Sequence, residues 1–97
     1  MSELCINNQV IAEIVALAQK HNIDKVVLFG SRARGDHHRA SDIDLAVYGG
    51  NVARFALDVE ELTSTLLMYD VIDMSQKHHD EFVKSIEKEG KILYEKI

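Results

Sequence analysis

Cysteine, proline and long apolar runs are scarce or absent in this chain of 97 residues. The single cysteine, Cys5, cannot form an internal disulfide, so the chain does not look like a small secreted scaffold. The absence of proline fits a compact chain without rigid spacers. The first residues carry no basic stretch, and no window approaches the roughly 18 apolar residues of a spanning helix. We therefore expect a cytoplasmic protein without a signal peptide or a membrane span.

Basic residues are also in the minority. Lys and Arg number 11 and Asp and Glu number 16, which gives a net charge of −5. General nucleic-acid binders are usually basic, because they must meet the phosphate charge, so direct nucleic-acid binding is disfavoured. Apolar residues make up 46% and charged residues 28%, which is ordinary for a globular protein. We predict a single domain over residues 1–97.

The first part of the chain predicts a helix, a strand and a loop. Asn7 and Asn8 can cap a helix, since a short side-chain oxygen accepts from the free N–H groups of the first turn. Apolar residues then recur at helical spacing to about residues 21–22. The β-branched run 26–29 predicts a buried strand, and the polar run 31–41 predicts a loop with one helical turn.

The rest of the chain predicts two more strands and two more helices. Strand 42–48 precedes a helix that Asn51 caps, and strand 69–74 precedes a last helix that Gly90 ends. Residues 92–94 are predicted to form a short extended tail. This alternation predicts an α/β (α+β-like) fold, with a small mixed sheet of three or more strands flanked by helices. The stripe predicted to face the core from the helix after Asn51 comprises Val52, Phe55, Ala56, Val59, Leu62, Leu66 and Leu67. The residues predicted to face inward from the last helix are Phe82, Val83 and Ile86.

The segment after the first strand carries residues suited to phosphate. Gly30 lets a ligand approach the backbone closely, because it lacks a Cβ. Ser31 follows where free N–H groups and a hydroxyl suit a phosphate. Three of the four arginines of the chain, Arg32, Arg34 and Arg39, lie within these few residues. Their guanidinium groups can bind phosphate oxygens, although each could equally be a solvated loop charge.

Two carboxylates on the second strand indicate a metal site. Asp42 and Asp44 sit two residues apart, so their side chains point the same way. Like charges held together are unfavourable unless a cation lies between them, and hard oxygen ligands suit Mg²⁺ or Mn²⁺. A two-metal site needs a further carboxylate, for which Asp70 and Asp73 are the candidates. They lie three residues apart on one strand and face opposite sides, so only one can join.

Two histidine pairs and the lone cysteine suggest no further site. His37 and His38, like His78 and His79, are adjacent in sequence and point in different directions, which disfavours a shared metal ion. We interpret them as exposed loop and helix-start residues. Cys5 has no visible base beside it and is not predicted to be a nucleophile.

The motifs together resemble the signature of the polymerase-β-like nucleotidyltransferase superfamily. Residues 30–35 read Gly-Ser-Arg-Ala-Arg-Gly and residues 41–45 read Ser-Asp-Ile-Asp-Leu, at the spacing of that signature. The short chain and this wording are most similar to the minimal nucleotidyltransferases, the antitoxin partners of HEPN-domain toxins. Residues 69–74 are similar to the third strand of that family, and residues 89–95 to its usual ending. The resemblance covers nearly the whole chain and implies the polymerase-β-like fold.

The resemblance also implies how the nucleotide would be held. Gly30 and Ser31 would hold the β- and γ-phosphates of ATP as the substrate. Arg32 or Arg34 would neutralise the leaving pyrophosphate. No aromatic platform for the base stands near the motif, so low base specificity is expected.

The carboxylates would hold two Mg²⁺ ions, by the same resemblance. Asp42 and Asp44 would ligate the ions, and Asp70 would be the third carboxylate. Asp70 would also help to deprotonate the attacking hydroxyl, and Asp73 is the second choice for this role.

The activity implied is transfer of AMP from ATP to a hydroxyl, a tyrosine hydroxyl in particular, of a HEPN toxin encoded by the adjacent gene. The alternative is a non-catalytic antitoxin or interaction subunit that neutralises its partner by forming a complex. Transfer to a small molecule such as an aminoglycoside is a third reading. A chain of this length leaves little room for an acceptor site, so the acceptor is expected to bring its own binding surface. A homodimer and a hetero-oligomer both stay open.

Overall fold

Helices and strands alternate through the computed structural model, which describes residues 6–35 and 41–96. The helices are α1 (Asn8–Lys20), α2 (Ser31–Arg34), α3 (Val52–Leu62) and α4 (Asp80–Glu89). The strands are β1 (Lys25–Phe29), β2 (Ile43–Tyr48), β3 (Tyr69–Asp73) and β4 (Lys91–Glu95). The predicted α/β fold with a mixed sheet is confirmed. The order of elements is as predicted, except that the expected tail is a fourth strand.

The four strands form one sheet in the order β3-β2-β1-β4. Strand β1 lies antiparallel to both β2 and β4, whereas β2 and β3 are parallel. The tail prediction failed because residues 92–94 contain no strand-length alternating pattern, and only pairing with β1 makes them a strand. Because β4 is the edge strand beside β1, the end of β1 that leads into Gly30 lies in the middle of the sheet.

Two cap predictions are confirmed by side-chain hydrogen bonds. The Asn7 carboxamide oxygen accepts from the Gln9 N–H at 2.7 Å, which begins α1. The Asn51 carboxamide oxygen accepts from the Arg54 N–H at 3.2 Å, which begins α3. Both bonds satisfy N–H groups that have no partner inside the helix.

The two faces of the sheet are covered unequally. Helices α1 and α3 pack on one face, and their apolar stripes bury the inward side chains of the strands in the main core. On the opposite face α4 buries Ile86 against Val27 and Ala46, with Phe82 at the border of this smaller cluster. That second face also carries the even-numbered residues of β2 and β3, including Asp44 and Asp70. The thin cover therefore leaves the carboxylates accessible.

The stripe predicted for α3 is wrong at Leu62 and Leu66, whereas Leu67, beyond the end of the helix, packs against the main core as predicted. The helix ends at Leu62, whose side chain is exposed, and Leu66 is fully exposed beyond it. Thr63 leaves the helix in an extended conformation, and its hydroxyl donates to the Val59 carbonyl oxygen at 2.5 Å. The Glu13 carboxylate accepts from the Ser64 N–H at 2.7 Å and so holds the chain away from a further turn. Helix α3 therefore ends where the chain contacts α1, although the apolar periodicity of the sequence continues beyond that point.

No helix among residues 6–35 and 41–96 is long and apolar enough to cross a membrane.

Candidate active site

The turn after β1 brings the backbone against a carboxylate. Gly30 has φ 77° and ψ −155°, a conformation that is essentially restricted to glycine. A Cβ at this position would overlap the carboxylate of Asp44 on the neighbouring strand. The close approach of a ligand that the sequence predicts at Gly30 stays a prediction, whereas the structure shows a close approach by the Asp44 side chain. Gly30 is therefore needed both for the backbone turn and for the position of the carboxylate.

The turn continues into the single short turn of α2. The N–H groups of Ala33 and Arg34 both donate to the Gly30 carbonyl oxygen at 3.1 Å. Gly35 ends the turn in the left-handed conformation, with φ 87°, and its N–H donates to the Ser31 carbonyl oxygen at 2.8 Å. Ser31 is half-buried at the first position of this turn, next to Gly30. This agrees with the helical turn that the sequence predicts at this point.

The register of the parallel strand pair brings two of the predicted carboxylates together. Asp44 on β2 lies level with Asp70 on β3, so the two side chains share one face on strands about 4.8 Å apart. Asp42 lies two residues before Asp44, immediately before β2 begins. Burial raises the pKa of Asp44, and the negative charges of Asp70 and then Asp42 raise it further. Asp70 and Asp42 are therefore close enough to Asp44 to repel its negative charge.

The alternative third carboxylate lies elsewhere. Asp73 is level with Val47 and belongs to the set of β3 residues that face the opposite side from Asp70. Its Oδ1 accepts from the Ser75 hydroxyl at 2.6 Å and from the Ser75 N–H at 2.9 Å, which lowers the Asp73 pKa. Of the two candidates, Asp70 alone stands beside Asp44. Its role as a metal ligand stays a prediction.

The arginines near the motif have different surroundings. The Arg32 side chain is 5% exposed, and its Nε and Nη2 donate to the Ser41 carbonyl oxygen at 3.1 and 3.0 Å. It therefore ties α2 to the residue that precedes Asp42. Arg34 is exposed, and its positive charge opposes the rise in the Asp44 pKa. Arg34, rather than Arg32, is accessible to a phosphate.

Several sequence predictions fall outside the part of the chain that is described. Arg39, His37, His38 and Cys5 lie there, and the structure says nothing of them. Of the other histidine pair, His79 is exposed as expected, whereas His78 is half-buried and its Nε2 lies 2.9 Å from the Asp73 carbonyl oxygen.

The carboxylates of Asp42, Asp44 and Asp70 are ligands of the kind that a divalent cation binds, although they do not stand close enough together to surround an ion. Among residues 6–35 and 41–96, no three His, Cys, Asp or Glu side chains stand close enough to form an ion cage. Asp44 nevertheless has its pKa raised by two neighbouring carboxylates, and a cation between them would remove that repulsion. Carboxylate oxygens are the ligands that Mg²⁺ prefers, so Asp42, Asp44 and Asp70 fit the ion.

The sequence analysis missed one aromatic residue beside this site. Phe82 on α4 contacts Phe29, whose register partner is Asp44. The two rings meet edge to face, with centroids 5.7 Å apart. Phe82 is far from the motif in sequence, so only its place in the amphipathic pattern of α4 was visible.

Comparisons with known proteins agree with this geometry. Residues 12–97 match the family model described as polymerase beta, nucleotidyltransferase. The chain is 34% identical over 90 residues to a Methanocaldococcus jannaschii protein named "Putative protein adenylyltransferase", covering 81% of this chain and 88% of that protein.

Two solved structures have a similar fold. A crystal structure of a toxin-antitoxin with AMP-PNP has a TM-score of 0.71 at 22% identity, covering 89% of this chain and 73% of that chain. A structure described as a "putative minimal nucleotidyltransferase" has a TM-score of 0.66 at 25% identity, covering 84% of this chain and 86% of that chain. The family match includes both the Gly30 turn and the Asp44–Asp70 pair, and the chain belongs to the polymerase beta nucleotidyltransferase family.

Proposed function

We propose that this protein transfers AMP from ATP to a hydroxyl group of a partner toxin and so acts as its antitoxin. The observation that carries the proposal is the register that sets Asp70 beside Asp44, next to the glycine turn at Gly30. The relative named as a protein adenylyltransferase supports a protein acceptor, and the neighbour crystallised as a toxin-antitoxin with AMP-PNP supports ATP and a toxin partner. Following the sequence resemblance, the partner is a HEPN-domain protein and the acceptor a tyrosine.

The phosphate end of the nucleotide would lie at the turn after β1. Gly30 and Ser31 would hold the β- and γ-phosphates, where the absence of a Cβ leaves the backbone close to a ligand. Arg34 is exposed within reach of this turn and would bind the leaving pyrophosphate. Arg32 would act indirectly, because its guanidinium group holds the Ser41 carbonyl oxygen and so positions the start of β2.

The carboxylates would act on the α-phosphorus and on the acceptor. Asp42 and Asp44 would hold Mg²⁺, which neutralises the charge of the attacking and leaving oxygens when it is bound. Asp70 would accept the proton of the acceptor hydroxyl as its oxygen bonds to the α-phosphorus and the bond to pyrophosphate breaks. The protein supplies positioning and charge, without a covalent intermediate.

Intact mass spectrometry of the partner tests the proposal. The chain is co-expressed with the product of the adjacent gene, and the purified partner is incubated with it, ATP and Mg²⁺. We expect the partner to gain the mass of one or more AMP units. The gain should be absent with EDTA and in an Asp42→Asn, Asp44→Asn variant. An unchanged mass with the unaltered chain contradicts the proposal.

A non-catalytic antitoxin is the second candidate. The observation that favours it is the similar fold of the structure described as a toxin-antitoxin, which is consistent with an antitoxin that binds its partner. A growth assay separates the two candidates. If the Asp42→Asn, Asp44→Asn variant neutralises the toxin as well as the unaltered chain does, complex formation is sufficient. If neutralisation is lost while the complex still forms, transfer is required.

A further inference from the structure

A concave pocket opens beside the carboxylates on the same face of the sheet. Its volume is about 650 Å³, within the range of roughly 300–1,000 Å³ that is typical of small-molecule sites. It is lined by Ile72, Lys77, His78, His79 and Phe82. Ile72 follows Asp70 by two residues on β3, so the pocket begins about 7 Å along the same face of the same strand. The pocket therefore begins next to Asp70 along β3, on the face of the sheet that carries Asp44 and Asp70.

The wall nearest the carboxylates is aromatic. The Phe82 ring contacts the rings of Phe29 and His78, with centroids 5.7 and 5.5 Å away. Phe29, Asp44 and Asp70 lie level with one another across β1, β2 and β3. The Phe82 ring therefore lies beside the cross-strand row of residues formed by Phe29, Asp44 and Asp70. His78 is held in place because its Nε2 lies 2.9 Å from the Asp73 carbonyl oxygen.

The charged residue that lines the pocket, Lys77, has the opposite sign to the net charge of the protein. Lys77 and His79 are exposed there, and none of the lining residues is acidic, in a chain of net charge −5. An apolar, aromatic wall with a positively charged lysine matches a ligand that has a flat ring at one end and phosphates at the other. Nucleobases bind aromatic side chains by stacking, which suits every base because each has a π-face.

We propose that the nucleobase and ribose of the nucleoside triphosphate occupy this pocket, with the base against Phe82. The phosphates would then run from the pocket past Asp70 and Asp44 to the turn at Gly30. This inference rests on the proposed function, because it takes ATP as the substrate. It names Phe82 as the residue that supplies the stacking surface for the base.

The competing occupant is a side chain of the acceptor protein. Two observations favour the nucleoside. The pocket has a volume in the range of small-molecule sites, and its charged lining residue, Lys77, is positive, which suits a ligand that carries phosphates. An acceptor segment would need only the hydroxyl near Asp70 and could reach it from the open edge beyond β3.

Binding of ATP and of inorganic tripolyphosphate tests the proposal. Titration calorimetry with Mg²⁺ present compares the unaltered full chain with Phe82→Leu, which keeps the apolar volume and loses the ring. We expect Phe82→Leu to weaken ATP binding about 5-fold to 100-fold, the range for loss of one base–aromatic stack, and to leave tripolyphosphate binding unchanged. Leu57→Ala is the matched control, because Leu57 is exposed on α3, which packs on the opposite face of the sheet.

A fluorescence measurement gives a second readout. It reports contact between the ligand and position 82 directly, rather than through a loss of affinity. The chain has no tryptophan, so Phe82→Trp places the only indole at the proposed stacking position. We expect ATP to quench its emission and tripolyphosphate to leave it unchanged. Leu57→Trp is the control and should respond to neither, because α3 covers the opposite face of the sheet.

The outcomes separate this proposal from the proposed function. Unchanged ATP affinity in Phe82→Leu overturns the nucleoside pocket alone, and so does an equal loss for ATP and tripolyphosphate. If ATP affinity is unchanged but the KM for the acceptor rises, the acceptor occupies the pocket and the inference is wrong. If the unaltered chain binds neither ATP nor tripolyphosphate, both the inference and the proposed function fail.

Discussion

At the scale of single residues, the site depends on the close approach of Gly30 and Asp44. A glycine with φ 77° touches a carboxylate that is itself destabilised by its neighbours. Such repulsion would persist in a folded chain only where the rest of the structure holds the carboxylates in place. The residues that make the site are therefore expected to lower the stability of the protein while enabling its activity.

A Cβ at Gly30 should disrupt the site. We expect Gly30→Ala to lower AMP transfer about 100-fold or more, because the methyl group would displace the Asp44 carboxylate by more than about 1 Å. Transfer kinetics and urea unfolding measure the two effects. Gly35→Ala is the matched control, since Gly35 also has a positive φ but its Cβ would meet no atom within 4 Å. A similar loss of activity in both variants would mean that backbone strain alone is responsible.

The raised pKa of Asp44 predicts a pH dependence of stability in the absence of Mg²⁺. A carboxyl whose folded-state pKa is raised binds more protons in the folded state, so the free energy of unfolding falls as pH rises above the unfolded pKa of about 3.8 through the raised folded value. Asp44→Asn should therefore be more stable than the unaltered chain at neutral pH, by at most about 1 kcal/mol because the group is partly solvated. Urea unfolding at pH 4 and pH 7 measures this difference.

The same variant tests the metal site. Mg²⁺ should raise the melting temperature of the unaltered chain and have little effect on Asp44→Asn, because a ligand that binds only the folded state stabilises it. A metal-free Asp44→Asn that is less stable than the unaltered chain at pH 7 would contradict the repulsion inferred here.

At the scale of elements, the site depends on how α2, β2 and β3 are set against one another. Arg32 links α2 to the start of β2, and the parallel pairing of β2 with β3 places Asp70. Arg34 on the same short helix is exposed and lies 4.0 Å from Glu89 of α4, a distance at which a surface ion pair contributes little. Arg32 and Arg34 lie two residues apart in sequence, but Arg32 binds the chain just before β2, whereas Arg34 lies near α4.

Substitution should separate the two arginines. We expect Arg32→Ala to destabilise the chain by about 3 kcal/mol, because it removes a buried side chain and leaves the Ser41 carbonyl without those two donors. Arg34→Ala should change stability by less than about 0.5 kcal/mol and should instead weaken tripolyphosphate binding. Urea unfolding and calorimetry measure the two effects. The assignment is wrong if Arg34→Ala leaves tripolyphosphate affinity unchanged.

At the scale of the whole molecule, the sheet order decides what is covered. Strand β4 protects one side of β1, α1 and α3 bury one face, and α4 leaves part of the other face open for the pocket. The open face is where Asp44, Asp70 and Phe82 meet, although they come from three separate elements. A local pattern contains no information about which of these elements become neighbours.

The fourth strand can be tested with two adjacent residues. Leu93 packs against the main core, whereas Ile92 is 54% exposed on the other side of β4. We expect Leu93→Lys to destabilise the chain by about 2 kcal/mol or more, and Ile92→Lys to change stability by less than about 0.5 kcal/mol. Equal effects of the two substitutions in urea unfolding would be the behaviour of an extended tail rather than of a packed strand.

The sequence by itself determined the features that depend on short range. The caps at Asn7 and Asn51 and the strand character of β1 to β3 follow from neighbouring residues, because capping and alternation are local. The Gly-Ser and Asp-x-Asp motifs were sufficient to identify the family, which the match over residues 12–97 then confirmed.

Only the tertiary structure decided the rest. It set Asp70, and not Asp73, level with Asp44 through the register of β2 and β3, buried Arg32 while leaving Arg34 exposed, ended α3 before Leu66 and brought Phe82 beside Phe29. Each of these depends on contacts between residues far apart in the chain. Strand register and helix placement are set by the joint packing of several elements, so a one-residue shift would leave every local pattern unchanged and yet dismantle the site.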